Sequence, residues 1–176
     1  DGAKKVMNRA LNYYKAQKLF ADKVDGIVDI LQKPAAGKTV SFFYITSNGA
    51  ANVRKSTDYI AEMISLAGGK YIFDDLTDDT AKSTVNMQME SFYAGAKDAD
   101  VMIYNATIDS ELQTLDQLLE KSPLLADFKA VKTGNVWCTE KNLYQSTMEL
   151  DELIRDFHTV IADGDPSTLK YLHKLS

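Results

Sequence analysis

Stretches of helical period and stretches of strand character take turns along almost the whole chain, and few folds bury such a pattern. Val40 to Thr46 (VSFFYIT) is a near-continuous run of β-branched and aromatic residues, the mark of a strand covered on both faces. Lys70 to Phe73, Asp100 to Asn105 (DVMIYN) and Asn135 to Thr139 (NVWCT) share that character, and Val85 to Met87 reads as a brief extended piece. Between them apolar residues recur at three- and four-residue steps. These steps predict helices over Ala3–Leu31, Arg54–Ala67, Glu90–Ala96, Ser110–Glu120, Pro123–Phe128 and Leu143–Ile161, with a further short one from Ser167. Pro34 with Gly37, the pair Gly68-Gly69, and Gly164 with Asp165-Pro166 supply the stops. Ser47–Asn52 and Asp74–Thr84 remain as loops.

This order predicts an α/β fold: a three-layer, Rossmann-like, mostly parallel sheet with helices on both faces. In such sheets ligands sit beyond the carboxyl ends of the strands. Those ends are Ser47–Asn52, Asp74–Thr84, Asn105–Asp109 and Glu140–Tyr144.

The 176 residues, 45% of them hydrophobic, suit one domain. Net charge is −5 and no basic stripe appears, which argues against a nucleic-acid partner. Cys138 is the only cysteine, so no internal disulfide forms. No apolar run approaches the about 18 residues of a membrane span. The opening Asp-Gly-Ala-Lys-Lys does not read as a signal peptide and no initiator Met precedes it. The expectation is a processed or truncated chain, with any targeting segment outside it.

Motifs of catalysis and metal binding fail on spacing. Gly37-Lys38-Thr39 resembles the end of a P-loop, but Gln32 stands where the upstream glycine belongs, and the triplet precedes a strand instead of following one. Asp74, Asp75, Asp78 and Asp79 lack the glycine and terminal glutamate of an EF-hand loop. Two well-separated histidines, His158 and His173, with one cysteine argue against a compact zinc site. No G-x-S-x-G turn presents a nucleophile, and Cys138 lies in an apolar strand where burial makes a thiol inert. No enzyme is predicted. The alternative, a nucleotide-binding or enzymatic Rossmann-like domain, meets a loop at Ser47 to Val53 without pyrophosphate-wrapping glycine spacing.

Three stretches carry a resemblance. Met89-Glu90-Ser91-Phe92-Tyr93 is followed by Ala96 to Asn105 (AKDADVMIYN), Leu125 to Trp137 reads LADFKAVKTGNVW, and the strand from Gly37 to Tyr44 is followed by Ile64 to Phe73 (ISLAGGKYIF). Together they resemble the C-terminal half of the iron-siderophore, haem and cobalamin class (class III) of periplasmic binding proteins, over residues 36–163.

The resemblance implies two α/β lobes joined by one long helix, with the ligand in the cleft between them. This chain is then a single C-terminal lobe lacking its N-terminal partner lobe. Residues 1–33 follow the connecting helix, 38–164 form the α/β core and 165–176 a tail. The implied role is the substrate-binding component of an ABC importer, outside the cytoplasm, periplasmic or lipid-anchored on the outer face of the cell membrane. The implied ligand is a siderophore-like ferric chelate, with haem or cobalamin as variants, and no resident cofactor is implied. Glu90 matches the glutamate that docks on permease arginines, where a carboxylate meets a bidentate guanidinium. The plainer reading is a first-turn carboxylate favoured by the helix dipole. Ligand contacts are expected at Ser47, Asn48, Gly49, Asn52, Arg54, Asn105, Thr107, Lys141, Asn142 and Tyr144. Trp137 lies within a strand and is expected to pack in the core.

Overall fold

The computed structural model describes residues 2–33, 36–143 and 149–176. Helix α1 (Gly2–Leu31) leads to strand β1 (Thr39–Ile45), the axis of the sheet. Strands β2 (Ala51–Arg54), β3 (Lys70–Tyr71), β4 (Thr84–Met87), β5 (Val101–Tyr104), β6 (Val136–Thr139) and β7 (Leu172–Lys174) complete a seven-stranded sheet. Its order is β4-β2-β1-β5-β6-β7, with β3 beside β1 off that path. Pairings β1–β3, β1–β5 and β5–β6 are parallel, while β1–β2, β2–β4 and β6–β7 are antiparallel. The sheet is thus mixed, with a parallel centre and antiparallel margins.

Two adjacent phenylalanines explain the layering. Successive strand residues point to opposite faces. Phe42 meets Phe157 of α6 (Leu150–Ile161) edge-on at 6.3 Å between ring centroids, whereas Phe43 meets Phe92 of α3 (Met89–Ala96) at 4.5 Å. All four rings are buried, each contributing about 1.5–3 kcal/mol. Helix α2 (Tyr59–Leu66) shares the α6 face. Helix α1 reaches α6 through its C-terminal turns: Ile30 is buried and the Lys23 ammonium lies 3.1 Å from the Asp151 carboxylate. Met7, Leu11 and Tyr14 of α1 stay exposed. Among the described residues no helix is long and apolar enough to cross a membrane.

Five predicted elements differ in the structure, most for a local reason. Helix was expected from Arg54, but Ala51–Arg54 is a strand. Thr46 turns the chain back: its N–H donates to Ala50 O at 2.9 Å, and its hydroxyl oxygen accepts the Ala50 N–H at 3.1 Å. Gly49 takes φ of +80° inside that turn, a backbone state glycine adopts at no steric cost. Helix α2 starts only at Tyr59, where Asp58 accepts the Ile60 N–H at 2.9 Å as N-cap. Helix α4 (Leu115–Lys121) begins five residues later than expected, at a capping box of Thr114 and Gln117. The long last helix is described from Leu150, while Leu143 is buried in a turn. Finally, the residues from Ser167 form one 3₁₀ turn (Pro166–Thr168) and then edge strand β7. The expected Pro123–Phe128 helix is a 3₁₀ turn over Pro123–Asp127, followed by α5 (Lys129–Lys132).

Several motif residues of the family resemblance have structural roles. Asp100 accepts the Thr39 N–H at 2.8 Å and hydroxyl at 2.9 Å, and meets Lys129 at 2.7 Å, clasping the starts of β1, β5 and α5. Ala130 is fully buried, Gly134 supplies φ of +68°, and Trp137, buried as expected, donates its indole N–H to Asn135 at 2.6 Å.

Candidate functional site

Strands β1, β5 and β6 run parallel, so their carboxyl ends share one edge of the sheet. A cavity of about 500 Å³ opens there, lined by Tyr44, Ile45, Thr46, Ser47, Gly49, Ile108, Asp109 and Lys121. One wall is the β1–β2 turn and the other the loop after β5. Asn105 ties that loop to the sheet. Its N–H donates to Phe43 O at 2.7 Å, and its side-chain oxygen accepts the Thr107 N–H at 3.2 Å and hydroxyl at 2.6 Å.

The cavity's charge comes from one network. Asp109 accepts the Tyr104 hydroxyl at 2.8 Å and pairs with Lys121 of α4, whose ammonium stands 5.8 Å from the Tyr104 ring centroid. Burial alone raises the Asp109 carboxyl, but Lys121 and Tyr104 outweigh it and hold the carboxyl below the usual carboxylate range. Burial, reinforced by Asp109, pushes the Tyr104 phenol well above its ordinary value. The lining is therefore one tyrosine, two isoleucines, two small hydroxyls, a glycine and one ion pair. Such side chains can hold and orient a solute, and among the described lining residues no nucleophile stands next to a free base. Cys138 is fully buried nearby, and burial pushes its thiol up to about 12.

The structure gathers part of the expected ligand set. Ser47 and Gly49 line the cavity, and Asn48 lies exposed in the same turn, paired with the Thr46 hydroxyl. Asn105 and Thr107 shape the opposite loop without lining the cavity. Asn52 sits on a strand, its amide bonded to Asn86 of β4 at 2.6 Å. Arg54 is not at the cavity: its guanidinium lies 3.6 Å from Asp58 and 5.9 Å from the Phe42 ring centroid. Lys141 and Asn142 are exposed in the turn after β6, outside this cavity's lining, and Tyr144 lies outside the described residues. Sequence reading missed Asp109 and Lys121 as site residues. Asp109 was placed in a strand-end loop, but nothing local says that the end of α4 returns a lysine to it.

Glu90 is exposed in the first turn of α3. Ile45 pairs with Ala51 and Ala51 with Met87, so the start of α3 lies at the strand-tip end of the sheet, level with the cavity. A separate polar group, Glu111, Glu140 and His173, stands beside the end of β6 with potential metal-ligand atoms within 4.8 Å of one another.

No family model matches the chain. It is 30% identical over 151 residues to the uncharacterized lipoprotein MJ0878 of Methanocaldococcus jannaschii, a match covering 84% of this chain and 34% of that protein. To the uncharacterized lipoprotein MJ0872 of the same organism it is 27% identical over 172 residues, 93% of this chain and 42% of the relative. The chain thus spans well under half the length of either relative. Among solved structures, a periplasmic solute binding protein from Veillonella parvula superposes with TM-score 0.66 at 21% identity, over 88% of this chain and 46% of that one. An ABC-type Fe3+-hydroxamate transport system protein from Saccharomonospora viridis gives 0.63 at 14%, over 82% and 48%. A periplasmic heme binding protein from Pseudomonas aeruginosa gives 0.61 at 15%, over 93% and 56%.

Proposed function

We propose that this chain, which has the fold of one lobe of the class III periplasmic binding proteins, is the substrate-binding component of an ABC importer and catalyses nothing. The strand-tip cavity carries this reading. It is open, lined by side chains that hold a solute, and sits on the edge of the sheet where a second lobe closes a cleft. The exposed Met7, Leu11 and Tyr14 of α1 are further surface for a companion lobe. The solute is a ferric chelate of siderophore type, with haem as the nearest variant, in keeping with the hydroxamate and haem proteins that share the fold. Tyr44 offers an aromatic face to a flat ligand, and the Lys121–Asp109 pair offers it polar contacts. The partner is a membrane permease, and the setting is extracytoplasmic, in keeping with relatives that are lipoproteins.

The rival reading, a nucleotide-binding sheet, fails on topology. In dinucleotide-binding folds the first strand runs through a glycine turn into a helix whose N-terminus takes the pyrophosphate. Here β1 turns back into antiparallel β2, so no helix N-terminus faces the cavity from that turn.

Calorimetric titration of the two-lobe protein with a ferric hydroxamate, haem and cobalamin tests the proposal. One of them is expected to bind with a Kd of about 1 µM or tighter. Absence of heat with all three removes the chelate reading.

A further inference from the structure

We propose that Glu111, Glu140 and His173 form a binding site for a divalent transition-metal ion, with Zn2+ the best fit. The three are far apart in sequence. Glu111 lies in the loop after β5, Glu140 directly follows β6, and His173 is the middle residue of β7. The antiparallel β6–β7 pairing sets Glu140 beside His173, and the Leu112 carbonyl at His173 Nε2 and the Lys141 N–H on Glu111 bring the third residue to them, contacts that sequence spacing does not show.

One pair of the three already stands at ligand spacing, and the third ligand atom lies within 4.8 Å of both. His173 Nδ1 stands 3.2 Å from Glu140 Oε1. Two ligands on a tetrahedral zinc with bonds of about 2.0–2.1 Å are roughly 3.3 Å apart, so this pair is already at ligand spacing. The other ring nitrogen fixes the tautomer. His173 Nε2 is 2.6 Å from the Leu112 carbonyl oxygen, which only accepts, so Nε2 carries the proton. In the neutral ring the Nδ1 lone pair then faces the carboxylates. A histidine whose far N–H is held by a backbone carbonyl is the usual outer support of a zinc ligand. Glu111 is held as well: its two oxygens accept the Gln113 amide at 2.8 Å and the Lys141 N–H at 3.4 Å.

All three side chains are half-buried, and Glu111 lines an open hollow of about 360 Å³ through which an ion enters. One imidazole and two carboxylates, with room for water in a fourth position, favour Zn2+ over Mg2+ or Ca2+, which take oxygen ligands alone. The bound ion joins the loop after β5 to edge strand β7. None of the three residues lines the strand-tip cavity, so the site stands apart from the solute reading.

The test is calorimetric titration of chelator-treated protein with ZnCl2, beside Glu111→Gln and His173→Gln, with Tm read on the same samples. Wild type is expected to bind one ion per chain with a Kd of about 1 µM or tighter and to gain several degrees in Tm. Glu111→Gln, which keeps an oxygen acceptor for its neighbours, is expected to bind at least tenfold more weakly, and His173→Gln more weakly still. No binding by wild type at about 100 µM zinc overturns the proposal. So does equal affinity in wild type and Glu111→Gln, which places the ion elsewhere, such as the acidic Asp74–Asp79 loop.

Discussion

Asp156 of α6 accepts the backbone N–H of Tyr171 at 2.6 Å, through the oxygen that also takes the Lys170 N–H at 3.0 Å. One acidic side chain thus fixes the segment that becomes β7. Burial pushes the Asp156 carboxyl above its ordinary value, although the N–H donors oppose the shift.

Two substitutions separate its hydrogen bonds from its charge. Asp156→Ala leaves buried N–H groups unmet and is expected to cost about 2–3 kcal/mol in urea unfolding at pH 7. Asp156→Asn keeps an acceptor and removes the buried charge, so it is expected to match or exceed wild type there. The sign follows from the raised value: protonation favours the folded state, a contribution present below the ordinary carboxylate range and lost as pH rises through the folded value. The stability of wild type relative to Asp156→Asn should therefore rise on acidification from pH 7. A difference that is flat with pH refutes this.

Lys55 is buried and meets the Thr80 carbonyl at 2.7 Å and the Asp78 carboxylate, pinning the acidic loop before β4. Lys55, with the Thr80 hydroxyl and N–H, lowers the exposed Asp78 carboxyl to about 2. Its folded value is depressed, so its contribution is present above about pH 4 and lost as pH falls toward 2. Carboxyl NMR is expected to show Asp78 titrating well below the other exposed carboxylates, and returning toward them in Lys55→Met. An ordinary titration of Asp78 in wild type would refute the pairing.

Much of the sheet was legible because its central strands are buried on both faces, and the sequence of β1 says so directly in the adjacent Phe42 and Phe43. The margins were not. Strand β2 depends on a turn closed by the Thr46 hydroxyl, a bond with no sequence period, and its four residues are too few to show alternation. Strand β7 is three residues long and exists because Asp156, fourteen residues upstream of Lys170, captures the chain. The start of α4 was legible and missed: Thr114-Leu115-Asp116-Gln117 is a capping box. At the site, strand order located the cavity and the turn residues Ser47 and Gly49. Lys121, which reaches Asp109 from the far end of α4, is a tertiary fact.

Gly69 lies against side chains of α2, α6 and β1 at once. A Cβ built there lies 2.7 Å from Ile161 Cδ1 and 3.3 Å from both Ile64 Cγ2 and Val40 Cγ2. Ile161 and Ile64 are themselves wholly buried, so neither side chain has room to retreat. Gly69→Ala is expected to destabilise by about 1–3 kcal/mol, read as a lower urea midpoint with unchanged m-value. Wild-type stability would mean that the α2–α6 packing yields more easily than its geometry implies.

Glu90 tests the transport reading without touching the fold. It is exposed on the first turn of α3, and the Ile45–Ala51–Met87 register sets that turn at the strand-tip end. An exposed first-turn carboxylate adds only a fraction of a kcal/mol to its helix. Glu90→Ala is therefore expected to shift stability by less than about 0.5 kcal/mol and to leave solute affinity unchanged. Uptake by cells carrying the variant is expected to fall several-fold, because a carboxylate facing arginines across an interface makes paired charge-assisted bonds that alanine cannot. Glu90→Gln, which keeps shape and loses charge, should behave like the alanine variant if the contact is electrostatic. Wild-type uptake by both variants at equal expression would leave Glu90 as a helix-terminus carboxylate and move the docking surface elsewhere on the lobe.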